Sequence, residues 1–544
     1  MRSLLISALF VSISFSVYSL DYKHLASDTT DTGFFGNAQV SAKMIAAKHE
    51  FNENNMRGAL TIYREVLEME PNNESALYWT ARCHYELKKY RLAQEYLDQA
   101  LHVNPEIGKN NEFFQGKIYH RLARLDEAIA SFEAFLKENE GKNSLDVEDA
   151  QRYISECRFA QDMMAKPAEV SVSNLGKEVN SRYDDYSPSI TADGKLLVFT
   201  SRRANSIGGE IDEGSDYKFF EDIFYSEWNK ETGTWSDAEG IEGEVNTPTY
   251  DAVLSIAPDG KQIFVYKNNL NSAGDIFVST LNGNDNSWRA PEKMPRPINT
   301  SYFESSISIT QDGQKIYFIS ERGGSGFGQG DIYVSEKQGS GWSKPENLGD
   351  VINTPFDEKF VFIHPNGKTL YFASDGHQCL GSYDIFKTEY VNGRWSIPIN
   401  LGYPINTVNE ESTFSLTQDN KTMLIAAEYG DTFGERDIYK IDVSKYPLIS
   451  SGYESSGYGG LTLTLQDEDG KPQKGEQYEI LLKGSNRVIT RGESDKLGLV
   501  RVNLPGDHTY IINVKHKGGI ETKEIEIRLN EAKQTVIQET FILK

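Results

Sequence analysis

The chain has 544 residues and a formal net charge of −24. This length exceeds what one hydrophobic core supports, so three or four domains are expected. The acidic charge argues against nucleic acid or anionic lipid as partners over most of the surface, and it favours basic partners. Hydrophobic residues make up 38% of the chain, with 29 Tyr and 27 Phe, which is typical of a folded, strand-rich protein.

Residues 1–19, MRSLLISALFVSISFSVYS, have the pattern of a secretory signal peptide. One basic residue, Arg2, precedes an apolar and Ser-rich stretch, and Val17-Tyr18-Ser19 gives a small-residue cleavage site. The alternative is a membrane-spanning helix, but the apolar run is shorter than the roughly 20 residues that a bilayer needs. No Cys follows it, so the usual bacterial lipid-anchoring signal is not expected. The sequence predicts a periplasmic protein, peripherally associated with the outer membrane at most and without a membrane span after cleavage.

The three cysteines, Cys83, Cys157 and Cys379, are widely spaced and odd in number, which predicts neither a disulfide framework nor a zinc site. The His377-Gln378-Cys379 segment offers too few metal ligands, and a packed thiol is expected there. The sequence therefore predicts no redox chemistry, no metal site and no cofactor.

A helical repeat is predicted between residues 37 and 165. Ala59 and Ala93 stand 34 residues apart, as do Pro71 and Pro105, and each Pro closes an amphipathic stretch. These stretches resemble tetratricopeptide repeats, which are helix pairs with this period. A third unit, shifted by one residue, has a small or aromatic residue at the expected positions Gly116, Tyr119, Ala128 and Phe132.

Three such repeats imply a groove that holds a peptide or a partner helix, and the alternative is a spacer without a ligand. Residues 145–163 are expected to form a final solvating helix that covers the open end of the stack.

A second repeat fills residues 168–446 in five units of about 53 residues. Each unit has an Asn, an aliphatic residue ten positions later, a turn pair such as Asp193-Gly194, a β-rich run and an Asp-Ile-aromatic segment. Asp-Gly pairs indicate two-residue hairpins. The repeated Asn are Asn180, Asn246, Asn299, Asn353 and Asn406, and the repeated Asp are Asp222, Asp275, Asp331, Asp384 and Asp437. Trp235, Trp288, Trp342 and Trp395 end the first four units.

Four short strands per unit predict a five-bladed all-β propeller, because radial repetition buries the faces and protects the edges of small sheets. The fifth unit has no Trp strand. Instead, residues 168–176 match the outer strands of other units through Leu175-Gly176, so they are expected to pair beside the strand that begins at Asp437 and to close the ring. The five units resemble WD-repeat-like propellers of bacterial envelope proteins.

Two features of the predicted propeller are candidates for function. A carboxylate follows each repeated Asn by five residues, and the five could form a ring at one mouth of the channel that binds a cation or a basic partner segment. The alternative is a structural hydrogen bond that orders the entry of each inner strand. The first unit also carries a loop that is 13 residues longer, around Gly208 to Phe220, a common place for specific contacts. The ring residues are Asp185, Asp251, Glu304, Glu358 and Glu411.

The sequence predicts a protein that is not an enzyme. No G-x-S-x-G pentapeptide is present, and a symmetric ring of carboxylates lacks the divided acid and base roles of a glycosidase. The Gly-rich segment GGSGFGQG from Gly323 follows a strand and precedes another strand, so it is interpreted as a hairpin and not as a phosphate-binding loop.

Residues 447–459 are Ser, Gly and Tyr rich and are expected to be a linker. Residues 460–544 predict a small antiparallel β-sandwich. Its turns at Asp469-Gly470-Lys471-Pro472 and Leu504-Pro505-Gly506 resemble the carboxypeptidase-regulatory-like fold, which is non-catalytic in that family.

The whole order of segments resembles periplasmic proteins of Bacteroidota that serve type IX secretion. The resemblance implies a non-enzymatic scaffold that binds envelope or outer-membrane secretion or gliding components through the repeat groove and the propeller face. Such proteins commonly end in an OmpA-like domain that grips peptidoglycan, and that attachment is not carried over because the sequence stops at Lys544. The alternatives are a glycan-binding or glycan-hydrolysing propeller and a TolB-like envelope-integrity protein.

Overall fold

A computed structural model describes residues 32–108, 110–142, 144–212, 218–267, 274–283, 287–324, 326–391, 393–450, 458–483, 488–505, 508–528 and 536–544. The expected signal peptide, residues 1–19, lies outside these ranges. Helices come first and strands follow. The N-terminal helices are α1 Thr32–Asn52, α2 Met56–Met69, α3 Glu74–Glu86, α4 Tyr90–Val103, α5 Asn111–Arg121, α6 Leu125–Glu138 and α7 Leu145–Met164.

Successive helices pack as antiparallel pairs, which confirms the TPR-like interpretation of this region. Small residues lie where paired helices touch: a Cβ added at Gly116 would meet the Phe132 ring at 2.7 Å. Asn side chains begin two helices by accepting a hydrogen bond from the first turn, Asn55 from Gly58 N–H and Asn73 from Ala76 N–H, both at 2.9 Å. The repeat therefore forms because its small positions permit close helix contact.

Helix α7 is present as predicted, but its expected role as a solvating cap is wrong. Cys157, Phe159 and Ala160 are buried in a cluster that includes Leu380 and Val408 from the strand-rich region. The Ser155 hydroxyl also donates to the Arg491 carbonyl at 3.0 Å. Helix α7 shares this cluster with α6 as well, so it joins the helical repeat to the rest of the chain.

The strand-rich region begins with five sheets, each an antiparallel path of four strands. Three of the sheets also carry a short strand off this path, because the outer strand is split in two. The first sheet contains β2 Asp185–Ile190, β3 Leu196–Ser201, β4 Asp222–Asn229, β5 Thr234–Trp235 and β6 Glu239–Gly240. The second contains β7 Asp251–Ile256, β8 Gln262–Lys267, β9 Asp275–Thr280 and β10 Glu292–Lys293. The third contains β11 Glu304–Ile309, β12 Lys315–Ser320, β13 Asp331–Gln338, β14 Gly341–Trp342 and β15 Glu346–Asn347. The fourth contains β16 Glu358–Ile363, β17 Thr369–Ser374, β18 Asp384–Val391, β19 Arg394–Trp395 and β20 Ile399–Asn400. The fifth contains β21 Phe414–Leu416, β22 Thr422–Ala427, β23 Asp437–Asp442 and, from the start of the region, β1 Ser171–Asn174.

The inner strands of these sheets contact one another in a closed order. Strand β2 contacts β7, β7 contacts β11, and β11 contacts β16. Phe360 of β16 lies 5.2 Å from Phe414 of β21, measured between ring centroids, and β21 contacts β2. Apolar residues from adjacent sheets thus share clusters, and the core of the region lies between the sheets.

Strand β1 pairs antiparallel with β23, with Ser171 opposite Asp442 and Asn174 opposite Tyr439. This is the position that the sequence predicts for residues 168–176. The fifth sheet therefore takes its outer strand from the segment that directly follows α7.

The hairpins between inner strands form where they are predicted, but their turns are longer than the two-residue type. Gly194 N–H donates to the Thr191 carbonyl at 2.9 Å, and of the Asp193-Gly194 pair only Gly194 has a positive φ, +71°. A two-residue turn of the expected type needs positive φ at both central residues. Here the Asp193 carboxylate accepts Lys195 N–H at 3.2 Å, which favours a longer turn stabilised by the Asp side chain.

The predicted linker begins with structure. A short helix, α8 Pro447–Ser450, has Leu448 and Ile449 buried. The buried Lys387 ammonium donates to the Leu448 carbonyl at 2.6 Å. This part of the linker prediction is wrong because apolar side chains fix it to the fourth sheet, and residues 451–457 lie outside the described ranges.

The C-terminal region has two sheets with one shared hydrophobic cluster. One sheet contains β24 Tyr458–Asp467, β27 Leu499–Pro505 and β30 Val536–Leu543, and the other contains β25 Gln477–Leu482, β26 Val488–Glu493, β28 His508–His516 and β29 Gly519–Ile527. The prediction of an all-antiparallel arrangement is wrong at one pair, because β30 runs parallel to β24. No helix in the described ranges is long and apolar enough to cross a membrane.

Candidate functional site

The acidic ring, Asp185, Asp251, Glu304, Glu358 and Glu411, lies at the starts of the inner strands as predicted. Four of its members are the first residues of β2, β7, β11 and β16, and Glu411 precedes β21. The side chains are not open to solvent: Glu411 is 4% exposed and the other four are 0% exposed. A partner would have to displace protein atoms to reach them.

Each ring carboxylate accepts a backbone N–H and a hydroxyl hydrogen bond from the Ser or Thr that follows the repeated Asn. Thr354, for example, donates to Glu358 from its N–H at 3.1 Å and its hydroxyl at 2.8 Å. The N–H···O distances in the other units are 2.6 Å from Ser181, 2.5 Å from Thr247, 2.9 Å from Thr300 and 2.8 Å from Thr407. These bonds favour the structural alternative, and partner binding at the ring stays a prediction.

The ring is asymmetric in charge. Arg203 lies 3.1 Å from Asp185, Lys267 lies 2.8 Å from Asp251, and Arg322 lies 3.5 Å from Glu304. Glu358 and Glu411 have no cation at ion-pair distance within the described residues. Burial raises the pKa of Glu358 to about 8 and the pKa of Glu411 to about 7, against the opposing effect of their hydrogen bonds.

The repeated Asn residues also have a structural role. The Asn353 amide accepts Ile332 N–H at 2.8 Å and donates to the Ile332 carbonyl at 3.0 Å, so it pairs with strand β13 as a backbone would. Equivalent pairs join Asn180 to Ile438, Asn246 to Ile223, Asn299 to Ile276 and Asn406 to Ile385. The Asn of one unit is thus fixed to the Asp-Ile strand of the preceding sheet.

Ser side chains accept hydrogen bonds between neighbouring inner strands. The Ser189 hydroxyl accepts Ile256 N–H at 2.9 Å, and the Ser415 hydroxyl accepts Ile190 N–H at 3.0 Å. In the same way, Ser306 and Ser308 of β11 accept N–H groups of β16 at 3.2 and 3.1 Å. These direct bonds tie neighbouring inner strands together, so the ring residues have a structural setting.

The Gly-rich segment from Gly323 lies between β12 and β13, as interpreted from the sequence. Its N–H groups at Phe327 and Gly328 donate to the Asp331 carboxylate at 2.7 and 3.2 Å. They are therefore directed at a residue of their own sheet. All three cysteines are buried, and among the described residues no three His, Cys, Asp or Glu side chains are arranged to hold a metal ion.

The helical region has a second candidate site, which the sequence analysis did not identify. Lys48, Arg82 and Lys117 lie at equivalent positions of α1, α3 and α5, 34 and 35 residues apart. Two further rows follow the same spacing on this side of the helices, Ile45, Trp79 and Phe114, and Phe51, Tyr85 and His120. We call these nine positions the groove face; Phe114 and His120 are buried, and the other seven are at least partly exposed. The repeat period that revealed the helices would have revealed this row of cations.

The cations of the groove face lie against aromatic rings. The Lys48 ammonium is 3.1 Å from the Trp79 ring centroid, the Arg82 guanidinium is 4.7 Å from that of Phe114, and the Lys117 ammonium is 4.9 Å from that of Tyr85. In the described part of the chain none of the three forms an ion pair with a carboxylate. Partial burial and the nearby Arg82 lower the pKa of Lys48. The groove face is therefore a positive, aromatic surface on a strongly acidic protein.

The helices are docked on the strand-rich region through their ends. His120 Nε2 lies 2.7 Å from the Leu380 carbonyl, and Lys89 forms an ion pair with Glu428 at 3.1 Å. Arg57 pairs with Glu435 in the same way. These contacts use loops of the fourth and fifth sheets and leave the three cations of the groove face partly exposed.

Comparison with known proteins gives one family match, in the helical region. The family described as Anaphase-promoting complex, cyclosome, subunit 3 matches residues 52–135, well under half of the chain. No curated protein matches. Among solved structures, TolB from Acinetobacter baumannii is 16% identical over 55% of this chain and 70% of that one, with a TM-score of 0.31.

Two further solved structures cover single regions. The second TPR domain of human RPAP3, in complex with the HSP70 peptide SGPTIEEVD, is 18% identical over 23% of this chain and 98% of that one, with a TM-score of 0.20. The α-L-arabinofuranosidase PaAbf62A from Podospora anserina is 14% identical over 51% of this chain and 97% of that one, with a TM-score of 0.32. The family match and the observed elements together give TPR-like repeats followed by a large β-rich region.

Proposed function

We propose that this protein is a non-enzymatic scaffold that holds an acidic segment of a protein partner on the groove face. The observation that carries the proposal is the row of three cations, Lys48, Arg82 and Lys117, each on an aromatic ring and none in an ion pair with a carboxylate in the described residues. A cation that the fold does not pair is available to a ligand carboxylate, and charge-assisted hydrogen bonds are among the stronger polar contacts.

The aromatic rings strengthen this interpretation. Ile45 is 73% exposed at one end of the groove face, and Trp79 is partly exposed at its centre. Apolar side chains of a bound segment would lie on these residues while its carboxylates meet the cations. Rings that already carry a cation also hold the Lys and Arg side chains in place, which lowers the entropy lost on binding.

In this proposal the five sheets are the blades of a closed five-bladed propeller, and the C-terminal region is a carboxypeptidase-regulatory-like sandwich. Both serve as rigid surfaces for further partners. A glycan-hydrolysing propeller is less well supported, because a glycosidase needs carboxylates that a sugar can reach. The ring carboxylates Asp185 and Glu358 are fully buried and already accept hydrogen bonds.

We further propose that the protein works in the periplasm as an accessory component of an outer-membrane secretion or gliding machinery, in the manner of the type IX secretion component PorE. The order of regions along the chain supports this assignment, since a helical repeat, a propeller and a sandwich in series resemble that protein. Linking several binding surfaces in one chain raises the effective concentration of each partner for the others.

The groove face is tested by a triple substitution, Lys48→Gln, Arg82→Gln and Lys117→Gln. Fluorescence anisotropy with a fluorescein-labelled decaglutamate peptide measures binding at two salt concentrations. We expect the substitutions to weaken binding at least tenfold, since three charge-assisted contacts are lost. Wild-type binding should also weaken as salt rises.

The matched control is Arg91→Gln, Lys137→Gln and Lys142→Gln, which removes the same charge from exposed positions on other parts of the helical region. Its affinity should stay within twofold of wild type. Equal losses in both triples would show a general charge effect and overturn the groove assignment. Envelope pull-down with the same proteins then tests the pathway: secretion components should be recovered by wild type and lost with the groove substitutions.

A further inference from the structure

A cleft of about 250 Å³ opens where the helical region, the third and fourth sheets and the C-terminal region meet. Helix α7 contributes Arg152 and Glu156, the loop after β17 contributes Asp375, and β26 contributes Glu493. No single region builds this cleft, so it exists only in the assembled molecule.

The floor of the cleft contains two acidic side chains, Glu156 and Asp375, and one basic side chain, Arg152. Arg152 donates to Glu156 Oε1 at 2.6 Å. Burial, with a smaller contribution from Asp375, raises the pKa of Glu156 to about 7 against the opposing effect of Arg152 and Arg121. The second oxygen, Oε2, is buried and has no hydrogen-bond partner, and the Glu156 residue is only 6% exposed. A buried acceptor without a donor is costly, so this position favours a ligand that brings one.

The other arginines of the cleft, Arg501 and Arg491, already form ion pairs within the protein. Arg501 lies 2.7 Å from Asp350 and 3.3 Å from Asp495, so the cation of that wall is already paired and the three side chains together carry one net negative charge. Arg491 forms an ion pair with Glu479, which is not among the lining residues. The groups left over are Glu156 Oε2, Asp375 and the exposed rim carboxylate of Glu493, against the exposed Lys496.

Aromatic and apolar residues complete the site. Phe356 is 43% exposed and Leu497 is 44% exposed, and both line the cleft. The Arg152 guanidinium lies 5.7 Å from the Phe356 ring centroid, so a planar cation already uses one side of this surface. Carboxylates next to an exposed ring are the surroundings that a guanidinium prefers.

We propose that this cleft binds an arginine side chain of a partner protein, with the guanidinium donating to Glu156 and Asp375 and the partner backbone lying over Phe356 and Leu497. The volume suits one side chain, and the open mouth allows a polypeptide to continue past it. The net charge of −24 attracts basic segments to the surface, and the cleft supplies the specific contact. This ligand is opposite in charge to the acidic segment proposed for the groove face, so one chain would hold two different kinds of partner.

The test uses full-length protein and a fluorescein-labelled peptide, Gly-Ser-Gly-Arg-Gly-Arg-Ser-Gly, followed by anisotropy. A second peptide carries citrulline in place of both arginines, which keeps the shape and removes the charge. We expect the arginine peptide to bind wild type at least fivefold more tightly than Glu156→Gln or Asp375→Asn. The citrulline peptide should bind wild type no better than the arginine peptide binds these variants.

Asp237→Asn is the matched control. Asp237 is exposed on the first sheet and does not line the cleft, and its substitution removes the same charge as Asp375→Asn. Its affinity should equal that of wild type. Asp375→Asn keeps the acceptor for Asp357 N–H at 2.9 Å, so this variant stays informative if Glu156→Gln disturbs the packing of α7.

Equal binding of the arginine peptide to wild type, Asp375→Asn and Asp237→Asn would indicate non-specific attraction to an acidic surface and would overturn the proposal. Displacement of the peptide by spermidine at the same concentration as by unlabelled peptide would also overturn it, since the site would then take a free polyamine. Failure here leaves the groove face untouched, because that site is measured with an acidic probe.

Discussion

Glu358 shows how a buried side chain can serve structure at an electrostatic cost. It accepts hydrogen bonds from Thr354 and Ser374, yet it has no counter-cation among the described residues, and burial raises its pKa to about 8. At neutral pH the folded state holds a proton that the unfolded chain would release. The sequence showed the repeated carboxylate but not this difference, because burial and the position of Arg or Lys neighbours are set by the packing of the sheets.

The pH dependence of stability tests this assignment with Glu358→Gln. Between the usual carboxyl value near 4.5 and the folded value near 8, the folded protein binds more protons than the unfolded chain, so stability falls as pH rises. The free energy of unfolding of wild type minus that of Glu358→Gln should therefore decrease from pH 5 to pH 8, by up to about 1.4 kcal/mol per pH unit. Urea unfolding of both proteins at four pH values measures this difference in the free energy of unfolding.

Glu346→Gln, an exposed carboxyl on the third sheet, is the control and should give a difference that does not change with pH. A flat difference for Glu358→Gln as well would mean that Glu358 is charged in the folded protein throughout this range.

Strand β1 illustrates how one element can be recognised from its side-chain bonds. Asn174 donates to Asp437 at 2.7 Å and accepts from Gly176 N–H and the Asn180 amide, both at 2.8 Å. The same set of bonds connects Asn347 with Asp331 and Asn400 with Asp384 in the third and fourth sheets. A strand from a distant part of the chain thus makes the contacts that local outer strands make.

We predict that Asn174→Ala and Asn347→Ala destabilise the protein by similar amounts, about 2 kcal/mol each. Both changes leave the Asp437 or Asp331 carboxylate with one donor fewer, and both remove the acceptor of a backbone N–H. Urea unfolding followed by Trp fluorescence measures the loss. Asn409→Ala, whose side chain is exposed, should change stability by less than about 0.5 kcal/mol. A much smaller cost at Asn174 than at Asn347 would show that β1 frays and does not close the fifth sheet.

Local repeats determine some elements of this protein, and distant contacts determine others. The repeated Asn, Asp-Ile and turn positions predicted the strands and their order, because each repeat carries its own hydrogen-bond partners. The burial of α7 and the helix at Pro447–Ser450 were not predicted. Apolar residues of α7 are covered by loops more than 200 residues away in the sequence, and α8 is covered by the fourth sheet. Local periodicity carries no information about such distant contacts.

At the scale of the whole molecule, the helical region is fixed to the sheets by polar contacts of different kinds. Exposed ion pairs such as Lys89–Glu428 contribute little by themselves. His120 is different, because it is fully buried, lies 2.7 Å from the Leu380 carbonyl, and stands near Arg121 and Arg152. Burial and these cations lower the pKa of His120 to about 3, so the neutral ring belongs to the docked state.

Acidification should therefore weaken the docking of the helical region through His120. Its folded pKa is lowered below the usual value of 6.5, so the stability it contributes is complete above 6.5 and is lost as pH falls towards 3. Glu156 in the same interface has a raised pKa and opposes this trend, which is why a variant comparison is needed. His120→Gln can donate to the Leu380 carbonyl without gaining charge. The stability of wild type relative to this variant should therefore fall between pH 6.5 and pH 4.5, by up to about 1.4 kcal/mol per pH unit.

Small-angle scattering at both pH values measures whether the helical region separates from the sheets. His49→Gln, at an exposed position, serves as the control. A relative stability that is constant with pH would mean that His120 takes up a proton as readily in the folded protein as in the unfolded chain, and that docking does not depend on its neutral form.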